Sequence, residues 1–350
     1  MLKAGVAGLC SDHLWPTWGK GVLKETVESG KYQIIAAADR NPQLLERIKN
    51  EFGVKNTYLS CHEMLEKEQL DVIVIGVPNN EKADIVELAA EKGIHVLIDK
   101  PLSANLEQAN RIIKAVEKYR IKGIVYYPGF FDPKSFEIYN LVKQGAIGNI
   151  YQIEARVANA GPELHGCSKY FLEWLFDKEK NGGGALIDYG CYGSLYSRWL
   201  LGQPLGVIGL GGKFVKNNIE AEDNAVLLLR YQNAISIIQA SWSEYASDSA
   251  WKFYPGPKLA VYGSEGAVIW HHWNDETLSL ITKEYSEGKI IHPLSPPEEM
   301  KNPPTYLAHC IINDRPVEGA LSLKMCRDVQ EILEAGYRSI NCKKEVPLPL

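Results

Sequence analysis

The sequence predicts an α/β protein, with a doubly wound parallel sheet first and an α+β domain after it. Three observations carry this. The first 125 residues alternate short apolar runs with helical patterns of about ten to fifteen residues, the grammar of βαβ units. Two of the runs, YQIIAAA and VIVIGV, are too apolar to alternate, as in strands buried on both faces. Beyond Pro128 strand-like runs follow one another with no helix between several of them. At about 150 residues per domain, 350 residues give two domains, divided here as 1–125 and 126–350.

Taken in order, Lys3–Gly8 is an apolar run ending in glycine, followed by a helix pattern over Gly21–Ser29 that Gly30 stops. Tyr32–Ala38 is the second strand and Asp39 ends it. Pro42 opens a helix over Pro42–Phe52, and Gly53 closes it. Ser60 caps a short helix, and Asp71 leads into VIVIGV. Glu81–Lys92 has helical spacing up to Gly93. His95–Ile98 reads as a strand, Asn105–Lys118 as a longer helix and Lys122–Tyr127 as the last strand of the series. In the second part YQIEARVANA, AVLLLRYQN, AISIIQASWSEY, KLAVYG and AVIWHHW read as strands of a mixed or antiparallel sheet. Helices are expected over Pro133–Lys143, Ala185–Leu201 and Ser322–Ser339. Glu284–Pro304, rich in proline and charge, reads as a surface excursion.

Composition narrows the function. There are 38 basic and 43 acidic residues, a net charge of −5, and up to residue 125 the two signs balance. No basic face stands out, which argues against a nucleic-acid or anionic-membrane partner. The start, MLKAGVAGLCSDHLW, lacks the basic and long apolar stretches of a secretion signal, and no run of about 18 apolar residues occurs. A soluble, cytoplasmic protein is expected. The seven cysteines are scattered without a C-x-x-C pair, so neither a disulfide scaffold nor a metal site is expected.

Three stretches carry chemistry. The first βα turn, Gly5-Val6-Ala7-Gly8-Leu9-Cys10-Ser11-Asp12-His13, keeps one glycine of the G-x-G-x-x-G dinucleotide fingerprint when registered on Gly8. A nucleotide turn and a plain tight turn are both compatible with it. Asp39, at the end of the second strand, has the position of a carboxylate that accepts both ribose hydroxyls and repels a 2′-phosphate; Arg40 beside it pulls the other way. NAD is therefore favoured, with NADP the alternative. Asp99-Lys100-Pro101 directly follows a strand, where a lysine points into the ligand crevice of such a sheet, unless it is an ordinary surface lysine at a turn. Finally, Gly182-Gly183-Gly184 reads as a flexible loop before a helix on which Asp188 and Tyr192, four apart, share a face. Gly190 and Gly193 keep the adjoining surface small enough for a substrate or cofactor to approach. A carboxylate and a phenol there make an acid/base pair, given a nearby ammonium to stabilise a phenolate whose ordinary pKa is about 10. A half-buried helix aromatic is the alternative for Tyr192.

These pieces occur in an order that resembles the glucose–fructose oxidoreductase / inositol dehydrogenase (Gfo/Idh/MocA) family over essentially the whole chain. The matching segments are DVIVIGVPNN, then KGIHVLIDKPLS, with Asp99 where the family's E-K-P signature has glutamate, then VKQGAIGNIYQIEAR, NGGGALIDYGCYG, LAVYGSEGAV and ILEAGYRSINCKKEVPLPL. The resemblance implies a Rossmann domain followed by a domain with a large, open, mostly antiparallel sheet, the usual oligomer interface of a homodimer or homotetramer. It makes Lys100 the catalytic lysine and puts Asp188 and Tyr192 on the family's aspartate and acid/base positions, tyrosine replacing the histidine of many members. It also implies that Gly8, the backbone of Ser11 and Asp12, and Val77-Pro78-Asn79 flank the cofactor, with Asp39, Arg40, Asp99 and Lys100 completing its site. Lys82 stands where members often carry histidine, with no role assigned.

The expected function is hydride transfer between NAD, or NADP, and a sugar, polyol or related cyclic alcohol. Two alternatives remain: an NAD-using, non-redox glycoside-cleaving enzyme, and a nucleotide or sugar sensor without catalysis. His165 and Tyr127 are further substrate-binding candidates, His165 from the loop before the glycine run and Tyr127 from the end of the last strand of the first series.

Overall fold

Six strands, β1 (Leu2–Ala7), β2 (Tyr32–Ala38), β3 (Asn56–Tyr58), β4 (Val72–Ile75), β5 (His95–Asp99) and β6 (Gly123–Tyr126), form a wholly parallel sheet in the order β3-β2-β1-β4-β5-β6. The order reverses at β1 and β4, the switch point where doubly wound sheets bind ligands. All four residues of β4 are buried, which is why its sequence does not alternate. The intervening helices are α1 (Val22–Glu28), α2 (Pro42–Phe52), α3 (Cys61–Lys67), α4 (Lys82–Glu91) and α5 (Leu106–Tyr119). Their ends follow local chemistry. In α2, Pro42 takes the first turn, the Asn41 side chain accepts from the Gln43 N–H at 2.9 Å, and left-handed Gly53 terminates it. In α5, Asn105 caps the Gln108 N–H at 3.0 Å. The protein is described here from a computed structural model covering residues 1–244, 258–272 and 274–350.

The stretch after β1 departs from a regular nucleotide-binding turn. Short bonds run from Leu14 N–H to Ser11 O, Trp15 N–H to Asp12 O and Gly19 N–H to Pro16 O, and α1 starts only at Val22. Pro16 lacks the N–H that a continuing helix needs, so the helix is delayed.

The second sheet has nine strands: β7 (Ile150–Ala158), β8 (Gly206–Gly212), β9 (Asn224–Arg230), β10 (Ile235–Ser241), β11 (Leu259–Gly263), β12 (Gly266–Trp270), β13 (Leu278–Thr282), β14 (Lys289–Ile291) and β15 (Val346–Pro347). Their order is β14-β13-β12-β11-β7-β10-β9-β8-β15, antiparallel throughout except for β7 beside β10. Its helices are α6 (Pro133–Lys143), α9 (Cys191–Leu201) and most of α11 (Leu323–Cys342); α7 (Lys169–Leu175), α8 (Lys178–Asn181) and α10 (Pro303–Ile312), which come after α6 in the chain, belong to the other unit. Of the strand-like runs expected from sequence, the Tyr245 end of AISIIQASWSEY and Trp273 of AVIWHHW lie outside the described residues. Glu284–Pro304, expected as an excursion, includes β14 and a 3-10 turn at Glu298–Met300.

The chain divides into two compact units that are not simple halves. The first comprises Met1–Pro128, Cys167–Gly182 and Pro297–Arg327; the second comprises Gly129–Gly166, Gly183–Pro296 and Asp328–Leu350. The first unit thus starts as a continuous block close to the expected boundary and then recruits α7, α8 and α10. Specific bonds fasten the recruits: Ser168 N–H donates to the Asp12 carboxylate, Asn79 Nδ2 to Asn181 Oδ1 at 2.7 Å, and the Tyr32 hydroxyl to Pro304 O at 2.6 Å. No helix among the described residues is long and apolar enough to cross a membrane.

Candidate functional site

A cavity of about 1350 Å³ opens at the carboxyl ends of β1, β2 and β4, within the first unit. Gly8, Asp39, Arg40, Val77 and Pro78, all candidates from the sequence, line it. Another wall comes from α7 and α8 through Lys169, Tyr170, Glu173, Trp174 and Lys180. Sequence reasoning placed none of these five among the cofactor-site candidates. The Ser168 cap before KYFLEWL was the available signal, but a seven-residue helix is too short to show a period.

Asp39 is built into the cavity floor. Its Oδ2 accepts the Leu9 N–H at 2.6 Å and its Oδ1 the Asn41 N–H at 2.7 Å. Burial raises its pKa, and the two backbone bonds and Arg40 only partly offset that. A carboxylate oxygen has more than one acceptor site, so both oxygens can still receive ribose hydroxyls. The indole N–H of Trp174 is buried with no acceptor among the described residues, and the ring lines the same cavity. A buried unpaired donor calls for a ligand or water acceptor. These observations fit a dinucleotide. Arg40 is 84% exposed at its side chain and forms a two-pronged pair with Glu81 at 3.2 and 3.0 Å.

Gly8 survives from the fingerprint for a reason internal to the protein. Its φ is +80°, and a Cβ there would lie 2.5–2.8 Å from Val77 atoms, backbone included. Ser11, Asp12 and Asn79 use their side chains on protein partners: Ser11 Oγ donates to Asp99 at 2.6 Å, Asp12 holds Ser168, and Asn79 holds Asn181. Asp99 is buried and His13 Nδ1 lies 3.1 Å from both of its oxygens. Burial raises the Asp99 pKa, but His13, Lys82 and Ser11 outweigh it and leave the carboxyl below its usual value. Lys100 is buried and its N–H donates to Tyr126 O at 3.1 Å; the Lys100–Pro101 peptide is cis. Tyr127 is buried just after β6.

In the second unit the glycine run is close-packed, which corrects its reading as a flexible loop. A Cβ on Gly183 would fall on the Tyr337 hydroxyl, and one on Gly184 would lie 2.0 Å from Glu222 O. The Glu222 carboxylate accepts the N–H groups of Gly184 at 2.9 Å and Leu186 at 3.0 Å and the Tyr337 hydroxyl at 2.8 Å. The expected helix begins with a π-helical turn, Leu186–Gly190, before α9. Such turns recur at functional sites. Asp188 lies in the π turn and Tyr192 in the first turn of α9, both buried; Asp188 Oδ2 accepts the Trp242 indole N–H at 3.0 Å. Gly193 faces the sheet, where an added Cβ would meet Ile238 at 2.6 Å and Ala155 at 3.2 Å. Its smallness therefore serves packing, a correction to the expectation that it opens a way for substrate. His165 is exposed on its loop.

Comparison with known proteins decides the family. Residues 15–127 match a model described as "Oxidoreductase family, NAD-binding Rossmann fold", and residues 137–269 match the GFO/IDH/MocA C-terminal domain. The chain belongs to the Gfo/Idh/MocA family. Its first unit is accordingly an NAD-binding Rossmann domain of an oxidoreductase. Curated relatives include levoglucosan dehydrogenase of Pseudarthrobacter phenanthrenivorans, 23% identical over 69% of this chain and 66% of that protein. Another is trans-1,2-dihydrobenzene-1,2-diol dehydrogenase of Xenopus laevis, 32% identical over 49% of each. The matched stretches thus span about half to two thirds of these relatives. Among solved structures, aldose-aldose oxidoreductase from Caulobacter crescentus superposes with a TM-score of 0.81 at 19% identity, covering 99% of both chains. A levoglucosan dehydrogenase complex with NADH and L-sorbose gives 0.84 at 18% identity, covering 100% of this chain and 99% of that one. At such identities the superpositions show the family fold.

Proposed function

We propose that this chain is an NAD-dependent dehydrogenase or reductase acting on a CH–OH group of a sugar, polyol or related cyclic alcohol. The observation that carries the reading is the half-buried Asp39 carboxylate lining the switch-point cavity of a Gfo/Idh/MocA chain. When bound, the nicotinamide exchanges a hydride with the carbinol carbon. Asp39 binds the adenosine ribose hydroxyls, and Trp174 closes the wall beside them. Following the family resemblance, Tyr192 takes the hydroxyl proton on oxidation and returns it on reduction. A phenol is a weak acid at neutral pH, with a reference pKa of about 10, and an ammonium beside it would favour its ionised form; by the same resemblance Lys100 is the family's catalytic lysine. Asp188, held by Trp242, accepts a substrate hydroxyl and orients the sugar.

The test is fluorescence titration with NADH and NADPH, followed by turnover of levoglucosan, D-xylose and myo-inositol read by nicotinamide absorbance. NADH binding tighter than NADPH, with turnover lost in Tyr192→Phe, is expected. Binding of neither nucleotide overturns the proposal. Turnover without any net nicotinamide absorbance change points instead to a glycoside-cleaving enzyme, and nucleotide binding without turnover to a sensor.

We also infer a homodimer or homotetramer through the nine-stranded sheet. On one face Ile208 lies opposite Leu228, Leu210 opposite Val226, and all four are exposed, Leu210 at 70%. A contiguous apolar patch of this kind marks an association surface. All seven cysteines are free thiols, the state a cytoplasmic location maintains.

A further inference from the structure

The Asp99–Pro101 turn is held by a residue with no role assigned from sequence. Lys82, at the start of α4, is 0% exposed. Its Nζ donates to the main-chain carbonyl of Asp99 and, at 2.7 Å, to that of Pro101, the residues on either side of Lys100. An ammonium withdrawn from water is tolerated only where hydrogen bonds and an opposite charge replace its hydration. The two carbonyls and the neighbouring Asp99 carboxylate supply both. Asp99 meanwhile accepts from Ser11 Oγ and lies against His13, and the Lys100 N–H is bonded to Tyr126 O. The turn is therefore tied to three places: the segment after β1 through the Asp99 side chain, β6 through the Lys100 N–H, and α4 through Lys82. Lysine suits the last tie. Its three donors on a flexible stem reach two carbonyls that are two residues apart, whereas the planar ring of histidine has two donors fixed in opposed directions.

We propose that Lys82 is a positioning residue for Lys100, fixing the backbone on both sides of it so that the Lys100 ammonium is held in one place during proton transfer. The inference rests on the catalytic reading of Lys100 given above. A misplaced catalytic group loses transition-state stabilisation while leaving ground-state binding intact, so the signature is a fall in kcat at constant KM.

The experiment compares wild type with Lys82→Met, Lys82→Gln and Lys100→Met. Each is checked for folding by circular dichroism, titrated with NADH, and assayed on whichever of levoglucosan, D-xylose and myo-inositol turns over fastest. Lys82→Met leaves both carbonyls without their donor, and kcat is expected to drop about 30-fold or more, with KM and the NADH Kd within about threefold of wild type. Lys82→Gln restores one donation and is expected to lose about five- to tenfold in kcat. If Lys82→Met does not fold, Lys82→Gln decides. A folded Lys82 variant with kcat within about twofold of wild type overturns the proposal. So does a kcat loss matched by an equal rise in KM and an equal loss of NADH affinity, which would mean general loosening. Wild-type kcat in Lys100→Met overturns the catalytic reading of Lys100 itself, and is told apart from a failure of the Lys82 proposal because it appears with residue 82 intact.

Discussion

The two sheets of this protein solve burial in opposite ways. In the six-stranded sheet the central strand β4 is buried at every position. In the nine-stranded sheet β9 alternates, with Ala225, Leu227 and Leu229 buried and Val226 and Leu228 exposed. Parallel strands joined by crossover helices acquire cover on both faces from their own connections, whereas antiparallel neighbours joined by short turns do not. The first sheet is therefore complete in one chain and is free to place chemistry at its carboxyl edge. The second leaves apolar side chains such as Val226 and Leu228 exposed on one face, the face proposed above as an association surface.

The largest test of that contrast places the same charge in each sheet. Val74→Asp puts an unpaired carboxylate inside β4 and is expected to cost more than about 4 kcal/mol, so that little folded protein is recovered. Leu228→Asp should leave the thermal midpoint nearly unchanged in the monomer and shift the sedimentation profile to smaller species. A destabilised Leu228→Asp monomer, or unaltered sedimentation of an oligomer, would break the comparison.

Next come two glycines with different constraints. Gly8→Ala meets backbone atoms of Val77 and must adopt φ +80°, so a loss of about 2–3 kcal/mol is expected together with weakened NADH binding. Gly193→Ala, in a regular helix, meets mainly the Ile238 side chain, which can turn away, and about 1–2 kcal/mol is expected with NADH affinity unchanged. Urea denaturation and nucleotide titration of both variants check the order.

Two carboxylates sharpen the comparison through pH. Asp223 accepts the N–H groups of Phe214, Val215 and Lys216 at 2.6–2.9 Å. Burial raises its pKa, but these bonds dominate and bring it down to about 2. A lowered carboxyl stabilises the fold above its ordinary value, and this contribution fades as the pH falls towards 2. Asp223→Asn should therefore be about 1–2 kcal/mol less stable than wild type at pH 7, with the gap narrowing by pH 3. Asp39, raised by burial, has the opposite sign: its contribution is lost as pH rises through the raised value. Asp39→Asn should compare better with wild type at pH 7 than at pH 4. Denaturation midpoints across that range would show two gaps moving in opposite directions.

The smallest effect lies at the exposed Arg40–Glu81 pair, worth under about 1 kcal/mol. Glu81→Gln frees the guanidinium for a 2′-phosphate and should raise NADPH affinity relative to NADH by up to about fivefold. Arg40→Ala should move the ratio the other way, as read by titration of each variant with both nucleotides.

Much of the first unit was legible because βαβ units are local. Pro42, Asn105, Gly53 and the VIVIGV run each act within a few residues, and the elements they predict are present. Strand β3 and helices α7, α8 and α10 were missed, being short or unperiodic. Cavity-lining residues were legible where a residue's position in a βα turn is itself the signal, as for Gly8, Asp39, Val77 and Pro78. Ser11, Asp12 and Asn79 carried the same positional signal; the bonds by which their side chains hold other parts of the protein were not legible.

By itself the sequence determined the alternation of strands and helices, the parallel sheet and its carboxyl-edge turns, and the family, because periodicity and capping are written in neighbouring residues. What walls the switch-point cavity, that Gly183, Gly184 and Gly193 mark close packing, and that Lys82 grips both sides of Lys100 came to light only on folding. Those facts depend on groups that are distant in the chain, such as Asp12 with Ser168 or Glu222 with Gly184 and Tyr337. A hydrogen bond of that kind exists only after the intervening chain has folded, so no local pattern encodes it.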